Sequence, residues 1–319
     1  MPPGMAALFA VAARQPANAS AFDFGFALGP RLNAAGRLED MAIGIELLLS
    51  DDPSRATELA RALDAINAER RDLQAQMVEE AEALAAKAID GADGLPDVLC
   101  LHDPGWHAGV VGLVASRLKE RWHRPALAFA RAEDEDGTWL KGSARSIPGL
   151  HLRAALAAVD ARHPGLIERF GGHAMAAGLS LPAAHFERFR AALEAQVATM
   201  LTPEQLRSEL LSDGELTAAE LGRPLAEQLR LAGPWGQGFP EPVFDGVFKV
   251  LQARPVAARH LKLSLLPAQG GTPLSAIQFG GWTGEPMPAL IHAAYQLDLD
   301  DWGGRRGIQL LVRHWLPAA

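Results

Sequence analysis

The run Phe170-Gly171-Gly172-His173-Ala174-Met175-Ala176-Ala177-Gly178 sets one histidine behind a glycine pair and among small residues. Glycine lacks a Cβ, so its backbone can come close to a ligand. Histidine can donate a hydrogen bond or exchange a proton near neutral pH. Gly171, Gly172 and His173 therefore read either as a tight turn or as a substrate site.

A second run, Lys141-Gly142-Ser143-Ala144-Arg145-Ser146, adds cations and hydroxyls. In an extended segment Lys141, Ser143 and Arg145 share one face, because side chains alternate with period two. Such a face matches a phosphate, or it is a solvated edge strand. Arg31, Asn33 and Arg37 lie in Gly29-Pro30-Arg31-Leu32-Asn33-Ala34-Ala35-Gly36-Arg37. That segment is a polar recognition loop or a helix start with solvated arginines. Trp106 and His107 precede a helix, where free backbone N–H groups attract anions; they face a ligand or they pack. Finally, Trp235 and Phe239 in a Gly- and Pro-rich loop are followed by Lys249, Arg254, Arg259, His260 and Lys262. An aromatic platform with basic strands suits single-strand binding; the other reading is a loop that seals a barrel. The sequence holds no HExxH, paired CxxC or GxxxxGK[ST] motif, and residues 1–60 lack the Asp and His cluster of a metal centre.

The elements that must position these residues differ along the chain. Residues 1–37 hold a short helix, Met5 to Ala13, and a strand by alternation, Phe22 to Leu28. They are too few to bury a core alone, as in the tail of a larger domain or a docking segment. A long helix begins at Asp51-Asp52-Pro53-Ser54 and stops near Gly91, Asp93, Gly94 and Pro96. Leu59, Leu63, Ile66, Leu73, Met77 and Leu84 form its stripe. It spans roughly 50–60 Å. Arg70 and Glu80 interrupt the stripe, which favours a strut between domains over a homodimeric coiled coil.

Residues 97–200 alternate strand and helix signals: strands at 97–102, 125–130, 138–145 and 177–181, helices at 109–122, 150–160 and 184–200. Asp136-Gly137 signals a hairpin turn. This pattern predicts a mixed-sheet α/β domain. Beyond residue 209 come a helix from Thr217 to Leu231 and five short strands, at 243–251, 260–265, 275–279, 289–297 and 308–314. They predict a small β-barrel or sandwich.

At 319 residues the chain is long enough for two domains of about 150 residues. Hydrophobic residues make up 49% and charged residues 21%, so each domain can bury a core. Cys100 stands alone, which excludes an internal disulfide framework and fits a reducing cytoplasm. No apolar run reaches the roughly 18 residues a bilayer needs, and no secretory signal opens the chain; the reading is soluble, intracellular and without a membrane. A net charge of −8 does not advertise nucleic-acid binding, although a locally basic cleft can still hold phosphates.

In this order the runs at 28–38, 106–112, 141–146, 170–178 and 233–242 resemble the RecJ family of single-stranded-DNA-specific 5′→3′ exonucleases in the DHH phosphoesterase superfamily. The resemblance implies an α/β chain of four parts. Residues 1–50 would be the end of a DHH domain, 51–92 a connecting helix, 93–205 a mixed-sheet DHHA1-type domain and 206–319 an OB-like barrel. It implies Mn²⁺ or Mg²⁺ in the complete enzyme, on Asp and His ligands that have no counterpart in this chain. His173 would contact the scissile phosphate. Ser143 and Arg145 would recognise a 5′ phosphate, with Arg37 approaching from the DHH side, and the barrel would grip the trailing strand. Implied partners are single-stranded DNA with a 5′ end and proteins of DNA repair and recombination. By this reading the polypeptide binds DNA ends without hydrolysing them. The alternative is a non-catalytic single-stranded nucleic-acid-binding module or accessory subunit. A phosphodiesterase for short oligonucleotides or cyclic dinucleotides would share the glycine-histidine turn, but the extra barrel argues against it.

Overall fold

A computed structural model describes residues 1–19, 21–90, 94–132, 138–236, 238–257, 259–300 and 307–318. The chain forms two compact units, Met1–Ser208 and Glu209–Ala319.

The first unit opens with helices α1 (Pro3–Val11), α2 (Gly29–Leu38), α3 (Ala42–Leu49) and α4 (Pro53–Asp90). The strand expected from Phe22 to Leu28 is instead a wide helical turn, Asp23–Leu28, that runs into α2. Phe22 and Phe26 stack with ring centroids 4.7 Å apart, a helical i,i+4 pair. Their period-two alternation had no partner strand to serve. Residues 1–37 bury their apolar surface together with later elements: Leu8 and Leu28 are enclosed with Leu47 of α3 and Leu63 of the first half of α4. That half presents Ala56, Leu59, Ala60 and Leu63, the surface a short segment lacks by itself. Asp52 caps α4, its Oδ1 accepting from the Ser54 N–H at 2.9 Å. At 38 residues the helix is about 57 Å long.

The second half of α4, through Met77, Ala81 and Ala85, packs on a five-stranded sheet and on α5 (Val111–Trp122). The strands are β1 (Leu99–His102), β2 (Ala126–Arg131), β3 (Trp139–Arg145), β4 (Arg169–Gly172) and β5 (Ala176–Pro182), in the order β1-β2-β3-β5-β4. Only β1 and β2 are parallel within this sheet, so it is mixed as expected. One face, with Leu127, Phe129, Leu140, Leu179 and Leu181, lies under α6 (Leu152–Arg162) and α7 (Phe186–Ala198). On the other, α5 covers Ala126, Ala128 and Ala130 of β2. The turn expected at Asp136-Gly137 lies outside the described residues.

In the second unit the helix expected from Thr217 begins later, as α8 (Arg223–Ala232). Thr217 and Glu220 close a separate turn, with both the Thr217 N–H and hydroxyl bonded to the Glu220 carboxylate. Gly222 is extended, and Pro224 has no N–H to continue the earlier turn. Five strands then close a barrel in the order β10-β8-β7-β6-β9. They are β6 (Phe244–Val256), β7 (His260–Pro267), β8 (Leu274–Gln278), β9 (Leu290–Asp300) and β10 (Gly307–Pro317). Phe248, Leu261, Leu265, Ile291, Tyr295 and Leu310 fill it.

Candidate nucleic-acid interface

Strand alternation sorts β3 cleanly. Leu140, Gly142 and Ala144 are buried, whereas Lys141 is exposed and Ser143 and Arg145 are half-buried on the opposite face. Gly142 has to be glycine, since a Cβ there would sit 2.3 Å from the Phe129 ring. Across the ladder Ser143 pairs with Gly178 and Gly178 with Gly171, so a strip of bare backbone lies beside the hydroxyl. A Cβ at Gly171 would meet nothing within 4 Å.

The β4–β5 hairpin carries the histidine. Gly172 sits at φ +136°, where a Cβ would stand 2.4 Å from the Ala176 carbonyl. The conformation therefore selects glycine. The His173 N–H donates to that carbonyl at 2.8 Å, and the His173 side chain is exposed. Arg145 pairs with Ala176, so His173 and Arg145 end one row of the sheet. The hairpin tip is fixed from behind by the Ser146 N–H on Met175 and the Leu152 N–H on Ala174.

Arg37 and Arg145 come together where α5 begins. Arg37 donates to the Gly109 carbonyl at 3.1 Å. One turn on, a Cβ at Gly112 would lie 3.0 Å from both Arg145 Nη2 and Ser143 Oγ. Arg145 Nη1 donates to Ser143 Oγ at 3.0 Å and to the Ala144 carbonyl at 2.9 Å. Arg70 projects from α4, donating to Gln74 and to buried Asn67, each at 2.7 Å. Burial, and then the nearby Arg37 charge, hold Arg145 below the ordinary guanidinium value. Burial, Arg37 and Arg71 do the same to Arg70. Among the described residues no carboxylate is bonded to Arg37, Arg70 or Arg145. Unrelieved positive charge beside a helix N-terminus suits an anion. The sequence reading missed Arg70, although its place on the apolar stripe of α4 was the signal.

Other expected residues fall elsewhere. Arg31 is in a helix, not a loop, and its guanidinium is spent on Asp64 (2.8 Å), the Ala27 carbonyl (2.6 Å) and the Val11 carbonyl (3.4 Å). Asn33 is exposed on the same helix. Trp106 does not face a ligand: it is 4% exposed in the core, with its indole N–H on Glu80 at 3.0 Å. A large apolar ring between α4 and α5 gains more from burial than from solvent. His107 braces the turn, its Nδ1 accepting from the Gly109 N–H at 3.1 Å.

On the barrel, Trp235 and Phe239 lie with ring centroids 4.8 Å apart, the indole anchored to the Leu229 carbonyl at 3.0 Å. Phe239 is 58% exposed. Arg254 and Lys262 stand directly opposite on β6 and β7. With Gln252, Ser264 and Ser275 they line a shallow groove of about 220 Å³. His260 accepts from the Gly280 N–H at 3.0 Å and packs edge-on to Phe279.

Among the described residues no group of three or more His, Cys, Asp or Glu side chains could hold a metal ion.

Residues 95–199 match the DHHA1 domain model and residues 212–314 the RecJ OB domain model. The chain is 50% identical over 319 residues to the single-stranded-DNA-specific exonuclease RecJ of Dickeya dadantii, and 47% identical over 319 residues to that of Escherichia coli. Each alignment covers 99% of this chain and 55% of the relative, so the chain spans about half their length. It is also similar to the crystal structure of Thermus thermophilus RecJ in complex with Mg²⁺. There the TM-score is 0.78 at 28% identity, over 99% of this chain and 47% of that one. The Mn²⁺ complex of Thermus thermophilus RecJ gives a TM-score of 0.76 at 29% identity, over 99% and 44%.

Proposed function

The chain belongs to the RecJ family through its DHHA1 domain and its RecJ OB domain, and from that premise we propose that it holds the 5′-phosphorylated end of single-stranded DNA for 5′→3′ exonucleolytic cleavage. The observation that carries this reading is the convergence of Arg37, Arg145 and Ser143 on the start of α5, with Arg70 near enough to Arg37 to feel its charge. A terminal phosphate there accepts charge-assisted hydrogen bonds and relieves the mutual repulsion of the arginines. His173, held out by the Gly172 turn, donates to the phosphate to be cleaved and supports its developing charge. Gly171 and Gly178 leave the intervening nucleotide room to lie against backbone. The Trp235–Phe239 pair stacks bases, while Arg254 and Lys262 track the backbone of the trailing strand.

The family division we assign is residues 1–50 as the end of a DHH domain, 51–92 as the connecting helix, 93–205 as the DHHA1-type domain and 206–319 as the barrel. Mn²⁺ or Mg²⁺ activates water in two-metal phosphodiester hydrolysis, and Mg²⁺ and Mn²⁺ accompany the solved relatives. No cluster among the described residues fits such an ion. In our reading the chain binds and orients the DNA end and supplies no nucleophile of its own. The test incubates the purified chain with 5′-phosphorylated and 5′-hydroxyl oligonucleotides, with and without Mn²⁺. Tighter binding of the phosphorylated end without degradation is expected. Mn²⁺-dependent degradation would refute the inactivity, and equal affinity for both ends would refute the end-binding role.

A further inference from the structure

The open face of β3, β5 and β4 holds a third row beyond the two already described. Lys141 pairs with Ser180, and Ser180 with Arg169. By strand parity these residues share the face of Ser143, Arg145, Gly171 and Gly178. The rows thus run Arg145–Ala176–His173, then Ser143–Gly178–Gly171, then Lys141–Ser180–Arg169. Successive rows are about 6.7 Å apart along the strands, and each row is about 9.5 Å across its three strands. The middle row is bare beyond the Ser143 hydroxyl, and both outer rows carry cations.

Lys141 and Arg169 are exposed, and among the described residues no acceptor is bonded to either. Arg169 is followed by Phe170, Gly171 and Gly172, so its position along β4 is set by the same hairpin that presents His173. The row lies on the far side of Ser143 from His173.

We infer that Lys141, Ser180 and Arg169 form a second phosphate-binding row, which takes the phosphate next outward from the one that Ser143 and Arg145 hold. This rests on the end-binding reading above. Given its side of Ser143, the group it receives is a further phosphate on the 5′ terminus, as in a 5′-triphosphorylated strand. Two cations and a hydroxyl supply charge-assisted bonds that the Ser143–Arg145 pair, occupied by the first phosphate, cannot.

The experiment measures binding of the 319-residue chain to one oligonucleotide sequence bearing a 5′-hydroxyl, a 5′-monophosphate or a 5′-triphosphate. Wild type is expected to bind the triphosphate about tenfold more tightly than the monophosphate. Arg169→Ala removes that gain and leaves the preference for monophosphate over hydroxyl intact, while Arg169→Lys keeps most of it. If the row instead holds an internal phosphodiester of the strand, Arg169→Ala weakens all three ligands equally and lowers the logarithmic salt slope by about 0.7. That outcome overturns the assignment of the row to a terminal phosphate. Unchanged binding of all three ligands by both Arg169→Ala and Lys141→Ala overturns the inference. A wild type indifferent to the 5′ monophosphate overturns the Ser143–Arg145 reading separately, because the Arg169 comparison still judges the row.

Discussion

The guanidinium of Arg145 donates to the hydroxyl of Ser143 across 3.0 Å, two residues back on the same face of β3. This bond holds the guanidinium against the first turn of α5, where Gly112 leaves it space. A longer residue at position 112 would push both groups away. Arg145 is thus pre-oriented before any ligand arrives, which lowers the ordering cost of binding.

Replacing Arg145 with Ala should therefore weaken binding of 5′-phosphorylated oligonucleotides by about 2 kcal/mol, the scale of a hydrogen bond to a charged group. Binding of 5′-hydroxyl ends should change little. Titration of both ligands by fluorescence anisotropy checks this, and an equal loss for both ends would sink the assignment.

The two glycines before His173 should respond oppositely. Gly172→Ala forces a side chain into φ +136° and against the Ala176 carbonyl. It should cost about 2 kcal/mol of stability, seen as a lower melting temperature. Gly171→Ala meets no neighbouring atom, so stability should hold while strand affinity drops. A stable Gly172→Ala protein would contradict the geometry.

On the barrel, Arg254→Ala and Lys262→Ala should each weaken single-strand binding across sequences and lower the logarithmic salt slope by about 0.7. Phe239→Ala should cost about 1 kcal/mol or more through lost stacking, with the salt slope unchanged. Salt-insensitive binding by the unaltered chain would remove the groove from the interface.

Acid should loosen the second unit through Asp245. Its carboxylate accepts from the Ser212 hydroxyl and lies 2.6 Å from His292 Nε2. Those two bonds, Ser212 first, lower its pKa below the ordinary aspartate value. A folded pKa below the unfolded one contributes stability that is complete above the unfolded value and fades as pH falls through the folded one. Denaturant unfolding of the chain should therefore show a stability loss below about pH 4. Asp245→Asn should flatten that acid limb. A variant with the same limb as wild type would assign the loss to other carboxylates.

Much of the architecture was legible in local pattern. The stripe of α4 and the five barrel strands rest on periodicity, which the backbone reads residue by residue. So does the shared face of Lys141, Ser143 and Arg145, since alternation needs no distant partner. Phe22 to Leu28 misled because alternation of apolar residues is only a strand signal when a neighbour can complete the ladder. Trp106 misled because its place at a helix start is compatible with a ligand or a core, and packing against Glu80 and α5 chose the core.

The glycine-histidine run by itself determined a position that only glycine tolerates and a histidine next to it. What surrounds that histidine was decided by the tertiary structure. Pairing of β3 with β5 and β5 with β4 put His173, Ser143, Arg145 and Arg169 on one face. The docking of α2 brought Arg37 near enough to Arg145 and to Arg70 of α4 for its charge to act on each. Strand register and helix docking depend on buried surfaces distant in sequence, so no local spacing could encode them.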